Sequence, residues 1–246
     1  MSVPAAVEDW VAAILPSPKV NQTWLLHACY EIDRDWPVDN PGDHLSEEVY
    51  LDVLERKMLH TSLSEVTTRG SGLPPGIALP TMYTTLKGPI VLEIVHMTDV
   101  GVSAFVLEQV HLNRERAAYR RLCAEDDSLS GLTLGEKGHS DSVATPAYPR
   151  HCLRLTLSDG NSEIEALELI GKPFSFVLGE TPIDVPIVGG IAFLDPDDIE
   201  ILGGSLEEED TWHYSRFREE LTSRMKEELV LAKKHGTPCK HLFATE

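Results

Sequence analysis

With 246 residues, 42% of them apolar, the chain can bury one sizeable core or two modest ones, which excludes disorder throughout. It carries 21 Lys and Arg against 40 Asp and Glu, a formal net charge of −19, so it repels polyphosphate unless its positive charge is concentrated somewhere. No apolar run approaches the ~18–20 residues of a bilayer span, and the stretch from Met1 to Asp9 has neither a basic start nor an apolar h-region, so a soluble, unsecreted protein is expected.

The first 70 residues read as helical. A short helix is expected from Ala5 to Leu15, begun by Pro4 and closed before Pro16. Asn21 can cap a second, in which Trp24, Ala28, Ile32 and Trp36 recur every four positions beside Leu25 and Cys29, with Pro37 ending it. In a third, after Ser46 as a cap, Leu45, Val49, Val53 and Tyr50, Leu54, Met58 form two adjacent rows. At Arg69-Gly-Ser-Gly-Leu-Pro-Pro-Gly76 the period changes, and strands are expected at Ile90–Met97, Cys152–Ser158, Glu163–Ile170, Phe174–Leu178, Val185–Leu194 and Ile199–Leu202. The strongest local signal is the alternating pair around Asp159-Gly160, a hairpin turn. Five or six short strands point to a small barrel or a sandwich.

Between the first strand and that hairpin lies a connection, His111 to His151, far longer than a β–β link needs. Its first part, Leu112 to Cys123, suits a short helix, and Glu125 to Ala147 is rich in Ser, Gly and Asp. An acidic run, Glu207 to Asp210, then leads to a polar amphipathic helix from Thr211 to about Lys234 and a Gly-Thr-Pro tail. The expected division is therefore 1–70 helical, 71–205 barrel with an insertion at 111–151, and 206–246 linker, helix and tail.

By segment the charge is −7 over residues 1–72, −2 over 73–110, 0 over 111–151, −12 over 152–211 and +2 over 212–246. The strands are the most acidic part and lack a basic groove with aromatic platforms, so a sheet that grips DNA by its own face is not expected. Basic charge is local to Arg114, Arg116, Arg120 and Arg121 in the insertion, and to Arg216, Arg218, Arg224, Lys226, Lys233 and Lys234 in the last helix. Those are the places to look for phosphate or an acidic partner.

Other clusters read as structural. Cys29, Cys123, Cys152 and Cys239 are scattered without a C-x-x-C pair, which fits a reducing compartment, cytosol or nucleus. His235, Cys239 and His241 offer soft donors, but a closed zinc site takes four, and a solvated tail is expected. His151 and Cys152 are adjacent in a strand and point to opposite faces. Asp197, Asp198 and Glu200, and Glu163, Glu165 and Glu168, have carboxylate spacing without a catalytic frame, and alternation puts Glu163 and Glu165 on a solvent face. Gly189-Gly190 and Gly203-Gly204 lack phosphate-loop spacing and read as tight bends. No cofactor, metal or enzyme activity is expected.

Leu59-His-Thr-Ser-Leu63, Leu73-Pro-Pro-Gly-Ile77, Leu86-Lys-Gly-Pro-Ile-Val-Leu92, Met97-Thr-Asp-Val-Gly101, Leu155-Thr-Leu-Ser-Asp-Gly160 and Gly190-x-x-x-Leu194-x-Pro196-x-x-Ile199-x-Ile201-Leu-Gly-Gly204 occur in that order. Together they resemble the N-terminal region of the RecQ-mediated genome instability protein 1 family, in its short fungal form. The resemblance implies an α+β fold: a three-helix bundle packed on a five-stranded OB-fold barrel, with a long insertion between the first two strands and a C-terminal helix added. It also implies a nuclear, non-catalytic subunit of a topoisomerase III and RecQ helicase complex. The insertion, here about Leu112 to Arg150, would bias the gate of a type IA topoisomerase and so promote decatenation and double Holliday junction dissolution. Residues expected to meet partner or DNA are Arg114, Arg116, Tyr119, Arg120, Arg121, Leu122, Lys137, Tyr148 and Arg150. Ser62, Ser64 and Glu93 depart from the family's pattern, so contacts through them do not carry over. A free-standing single-strand-binding barrel is the alternative, and an enzyme built on Asp197 or Asp198 the third choice.

Overall fold

A computed structural model describes residues 3–35, 46–129, 145–169, 185–195, 199–203 and 207–235. By contacts the chain divides into two compact units, one of residues 1–98 and 152–216, the other of 99–151 and 217–246.

In the first unit, α1 (Ala5–Ile14), α2 (Gln22–Asp35), α3 (Glu47–Leu59) and the single turn α4 (Leu63–Val66) lead the chain. The Asn21 Oδ1 accepts from the Thr23 amide at 2.9 Å, and Ser46 Oγ accepts from the Val49 amide at 3.4 Å, so both expected caps are in place. Leu25, Ala28, Cys29 and Ile32 of α2 are buried with Val7, Val11, Leu54 and Met58 in one core. Val49 is the exception, 42% exposed on the outer face of α3. Trp36, Pro37 and Leu45 lie outside the described residues.

The strands are β1 (Tyr83–Leu86), β2 (Glu93–Asp99), β3 (Leu153–Ser158), β4 (Glu163–Glu168), β5 (Val185–Val188) and β6 (Ile191–Leu194), ordered β1-β5-β6-β4-β3-β2 in one sheet. Among the described residues six strands stand where a five-stranded barrel is expected. The extra one is β1, whose Tyr83, Thr84 and Thr85 are exposed, so it has no buried alternation for a sequence reading to detect. It is split from β2 by Lys87-Gly-Pro89, where Pro89 cannot donate to a ladder. The expected single strand Val185–Leu194 is a tight hairpin, because Gly189 and Gly190 have φ of +63° and +79°. A Cβ on Gly190 would meet Ala78 O at 2.5 Å. Ile199–Leu202 forms no strand, and Phe174–Leu178 lies outside the described residues.

The β3–β4 hairpin pairs Leu155 with Ala166 and Leu157 with Ile164, and these four side chains are buried with Leu73, Ile77, Leu86, Ile187, Ala192 and Leu194. Its turn also meets the helical segment. Asp159, 2% exposed, accepts from the amides of Asn161 (2.8 Å), Ser162 (2.6 Å) and Leu73 (2.6 Å). Gly160, at φ +88°, lies so close to α4 that a Cβ would sit 2.4 Å from the Leu63 carbonyl carbon. The first unit is therefore cross-linked through the polar atoms of one turn as well as through its apolar cores.

Candidate partner interface on the insertion

After β2 the chain enters the second unit, in which α5 (Ala104–Leu129) is twice the expected length and begins eight residues before Leu112. Its start is fixed by Asp99, 6% exposed, whose Oδ1 accepts from the amides of Gly101 (2.9 Å) and Val102 (3.0 Å). The other oxygen accepts from the amide of His151 at 2.5 Å. One carboxylate thus joins the outgoing and returning strands of the insertion.

Residues 217–235 of the C-terminal helix α6 (Glu207–His235) complete this unit. Leu221, fully buried, packs with Ala104 and Leu107, flanked by Val102, Phe217 and Met225. Arg218 lies 3.6 Å from Glu108 and 3.9 Å from Glu115. Later residues of α6 meet earlier residues of α5, so the two helices run antiparallel. Beside them His111, buried, shares a 3.0 Å hydrogen bond with the Tyr148 hydroxyl, and the Phe217 ring meets both edge to face at 5.8 and 5.9 Å.

The candidate residues divide into two sets. Arg114 donates to Pro146 O at 2.8 Å and stacks over the Tyr148 ring at 5.0 Å, and Arg121 donates to Thr145 Oγ1. These three residues, Arg114, Tyr148 and Arg121, hold the returning segment against α5. Arg116, Tyr119, Arg120 and Leu122 are exposed, Tyr119 at 70% and Leu122 at 65%. Arg116 and Arg120, one turn apart, pair with no other described residue, and with Tyr119 and Glu115 they line a shallow depression. Two guanidinium groups around an exposed phenol can take phosphate or carboxylate oxygens and stack on a planar group. Arg150 is exposed at the end of the segment, and Lys137 lies outside the described residues.

The basic residues of α6 do not all serve as an anion surface. Arg224 is engaged with the carbonyls of Asp99 and Val102, both at 2.8 Å, and Arg218 with two glutamates. The signal for this packing was present as Phe217, Leu221, Arg224 and Glu228 at helical spacing, but a stripe with so few apolar members does not say what it packs on. Among the carboxylates, Glu165 meets Thr156 Oγ1 at 3.1 Å and Arg154 at 3.6 Å, and Glu168 is buried with its Oε2 accepting from the Leu153 amide at 3.1 Å. Glu168 therefore faces inward with Ile164 and Ala166. Cys152 Sγ points to Glu168 O at 3.5 Å. Asp197, Asp198, Cys239 and His241 lie outside the described residues. No cluster of three metal-ligating side chains occurs among the described residues, and no described helix is long and apolar enough to cross a membrane.

A mixed sheet in which β4 and β6 pair in parallel, interrupted after β2 by a separately folded helical insertion, defines a class: an OB-fold domain with a long insertion. The family model described as RMI1, N-terminal OB-fold domain, matches residues 73–216, and the chain belongs to that family. It is also 25% identical to RecQ-mediated genome instability protein 1 of Schizosaccharomyces pombe over 187 residues, covering 68% of this chain and 76% of the relative.

Proposed function

We propose that this chain is a nuclear, non-catalytic subunit serving genome stability and DNA repair, which binds a type IA topoisomerase of the topoisomerase III class in company with a RecQ-family helicase. Its OB-fold is read as a five-stranded barrel whose first strand is broken into β1 and β2. Through its insertion it biases the topoisomerase's DNA gate, and so promotes decatenation and double Holliday junction dissolution. The observation that carries this reading is the insertion itself: its described residues, 99–129 and 145–151, belong to a separate compact unit, and α5 presents Arg116, Tyr119, Arg120 and Leu122 on an exposed face. A local concentration of basic charge on a chain of net −19 suits a contact made within a complex, where the partner holds most of the DNA.

The test is co-purification with the cognate type IA topoisomerase, followed by single-strand decatenation using the wild type and a variant with residues 112–150 replaced by a short Gly-Ser link. The variant is expected to fold and bind but to lose stimulation, since loop closure depends only weakly on length. Absence of any association would end the reading. Tight, steeply salt-dependent binding of single-stranded DNA without a partner would replace it with a free-standing binder.

A further inference from the structure

We propose that the C-terminal helix α6 is a strut that fixes the root of the insertion, with Arg224 and Glu228 as its positioning residues. The inference starts from the first turn of α5, whose amides have no partners within the helix. Ser103 takes three of them: its carbonyl accepts from Val106 and Leu107 at 3.0 and 3.1 Å, and its hydroxyl accepts from Phe105 at 3.3 Å. The remaining amide, Ala104, donates to Glu228 Oε1 at 2.8 Å, and the Ser103 hydroxyl donates to Glu228 Oε2 at 2.7 Å. The cap of α5 is thus completed by a side chain 124 residues away, and its negative charge lies at the positive end of the helix dipole.

One turn earlier in α6, the Arg224 guanidinium donates to the carbonyls of Asp99 and Val102, at the two ends of the loop that enters α5. The amides in that loop are held from the other side by the Asp99 carboxylate, which also takes His151. Leu221 supplies the apolar contact between Ala104 and Leu107. Arg224 and Glu228 therefore grip the root through backbone atoms on both sides of Ser103, a stronger constraint on its direction than side-chain packing alone.

Arg116, Tyr119 and Arg120 lie farther along α5 than the residues gripped at its root, about three to four turns beyond Ala104. From Ala104 to Arg120 an α-helix rises about 24 Å, so a 10° change at the root moves that outer face by about 4 Å. A displacement of that size decides whether a positioned group engages its partner. The gripping residues also lie just beyond residue 216, where the family match ends, so the strut is a property of this chain that the match does not describe.

The consequence for gate regulation rests on the proposed function, and the experiment separates the two. Full-length wild type, Arg224→Ala, Glu228→Ala and Glu228→Gln are compared by hydrogen exchange, by affinity for the topoisomerase and by stimulation of decatenation. The two alanine variants are expected to speed exchange of the 101–107 amides about tenfold, leave strands 153–168 as protected as in wild type, and reduce stimulation several-fold with affinity unchanged. Glu228→Gln restores both readouts, because its amide oxygen accepts from Ala104 and its amide nitrogen donates to the Ser103 hydroxyl. Unchanged exchange at 101–107 overturns the strut, as does loss of protection across the whole chain. Affinity and stimulation falling in parallel overturn the positioning role. If the wild type neither binds nor stimulates the topoisomerase, the gate reading falls, and exchange at 101–107 alone decides the strut.

Discussion

Asp159 and Asp99 solve the same problem in the two units. Each is a nearly buried carboxylate that accepts three backbone amides, two from the residues just after it and one from a distant segment. The distant partner of Asp159 is Leu73, and the pair is backed by the Gly160 turn lying on α4 and by an apolar core of ten buried residues. The distant partner of Asp99 is His151, and what backs it is a small core of Ala104, Leu107 and Leu221 with Arg224 and Glu228 around it. The same chemistry therefore fixes a turn within an extensive core in one unit, and substitutes for an extensive core in the other.

The comparison is tested first by Asp159→Ala. Three backbone amides, that of Leu73 buried, lose their acceptor at once, and the expected cost is about 3–5 kcal/mol in urea unfolding of the full chain. Asp159→Asn is the sharper control. It keeps the two bonds of Oδ1 and turns a donor toward the Leu73 amide, so an intermediate loss is expected. An effect of Asp159→Ala below about 1 kcal/mol would mean that the core alone holds the turn.

Asp99→Ala comes next, with an expected cost of about 2–3 kcal/mol confined to the second unit. The unfolding curve should separate into two transitions, with the sheet's tertiary signal retained through the first. If the sheet melts together with the insertion, the two units share their stability and the contrast between the aspartates disappears.

What the sequence made legible follows the reach of each interaction. Asp159-Gly160 declared itself as a turn because two of the carboxylate's partners and the positive φ lie within three residues. Asp99 gave no such sign: it sits in Met97-Thr-Asp-Val-Gly101, where a strand ends, and its third partner is 52 residues away. The α2 stripe and the Ser46 cap were legible for the same local reason. The short β1 was not, because its exposed side chains carry no period. Among the candidate site residues, sequence located the basic face of the insertion, but charge alone did not divide Arg114, held by Pro146 and Tyr148, from Arg116 and Arg120. The grip of Arg224 and Glu228 was hidden because it reaches backbone atoms at the root, which no side-chain pattern on α5 records.

The smallest expected effect concerns a carboxylate that is not buried. Glu31 of α2 and Lys57 of α3 approach to 2.5 Å, and the hydrogen bond from Lys57 holds the Glu31 carboxyl below its usual range, with the lysine's charge adding to it. Because the folded-state value is depressed, the pair contributes stability above the ordinary glutamate range, and the contribution is lost as pH falls through the depressed value. Solvent around the pair screens it, so the gain is slight and falls with added salt. Urea midpoints of wild type and Glu31→Gln should therefore differ a little at neutral pH, converge as pH falls through the depressed value, and converge as well at high salt. A loss at neutral pH that rivalled Asp159→Ala would show that exposure does not separate this carboxylate from the two buried ones, and that the helical segment depends on the tie between α2 and α3 as the sheet depends on its turn.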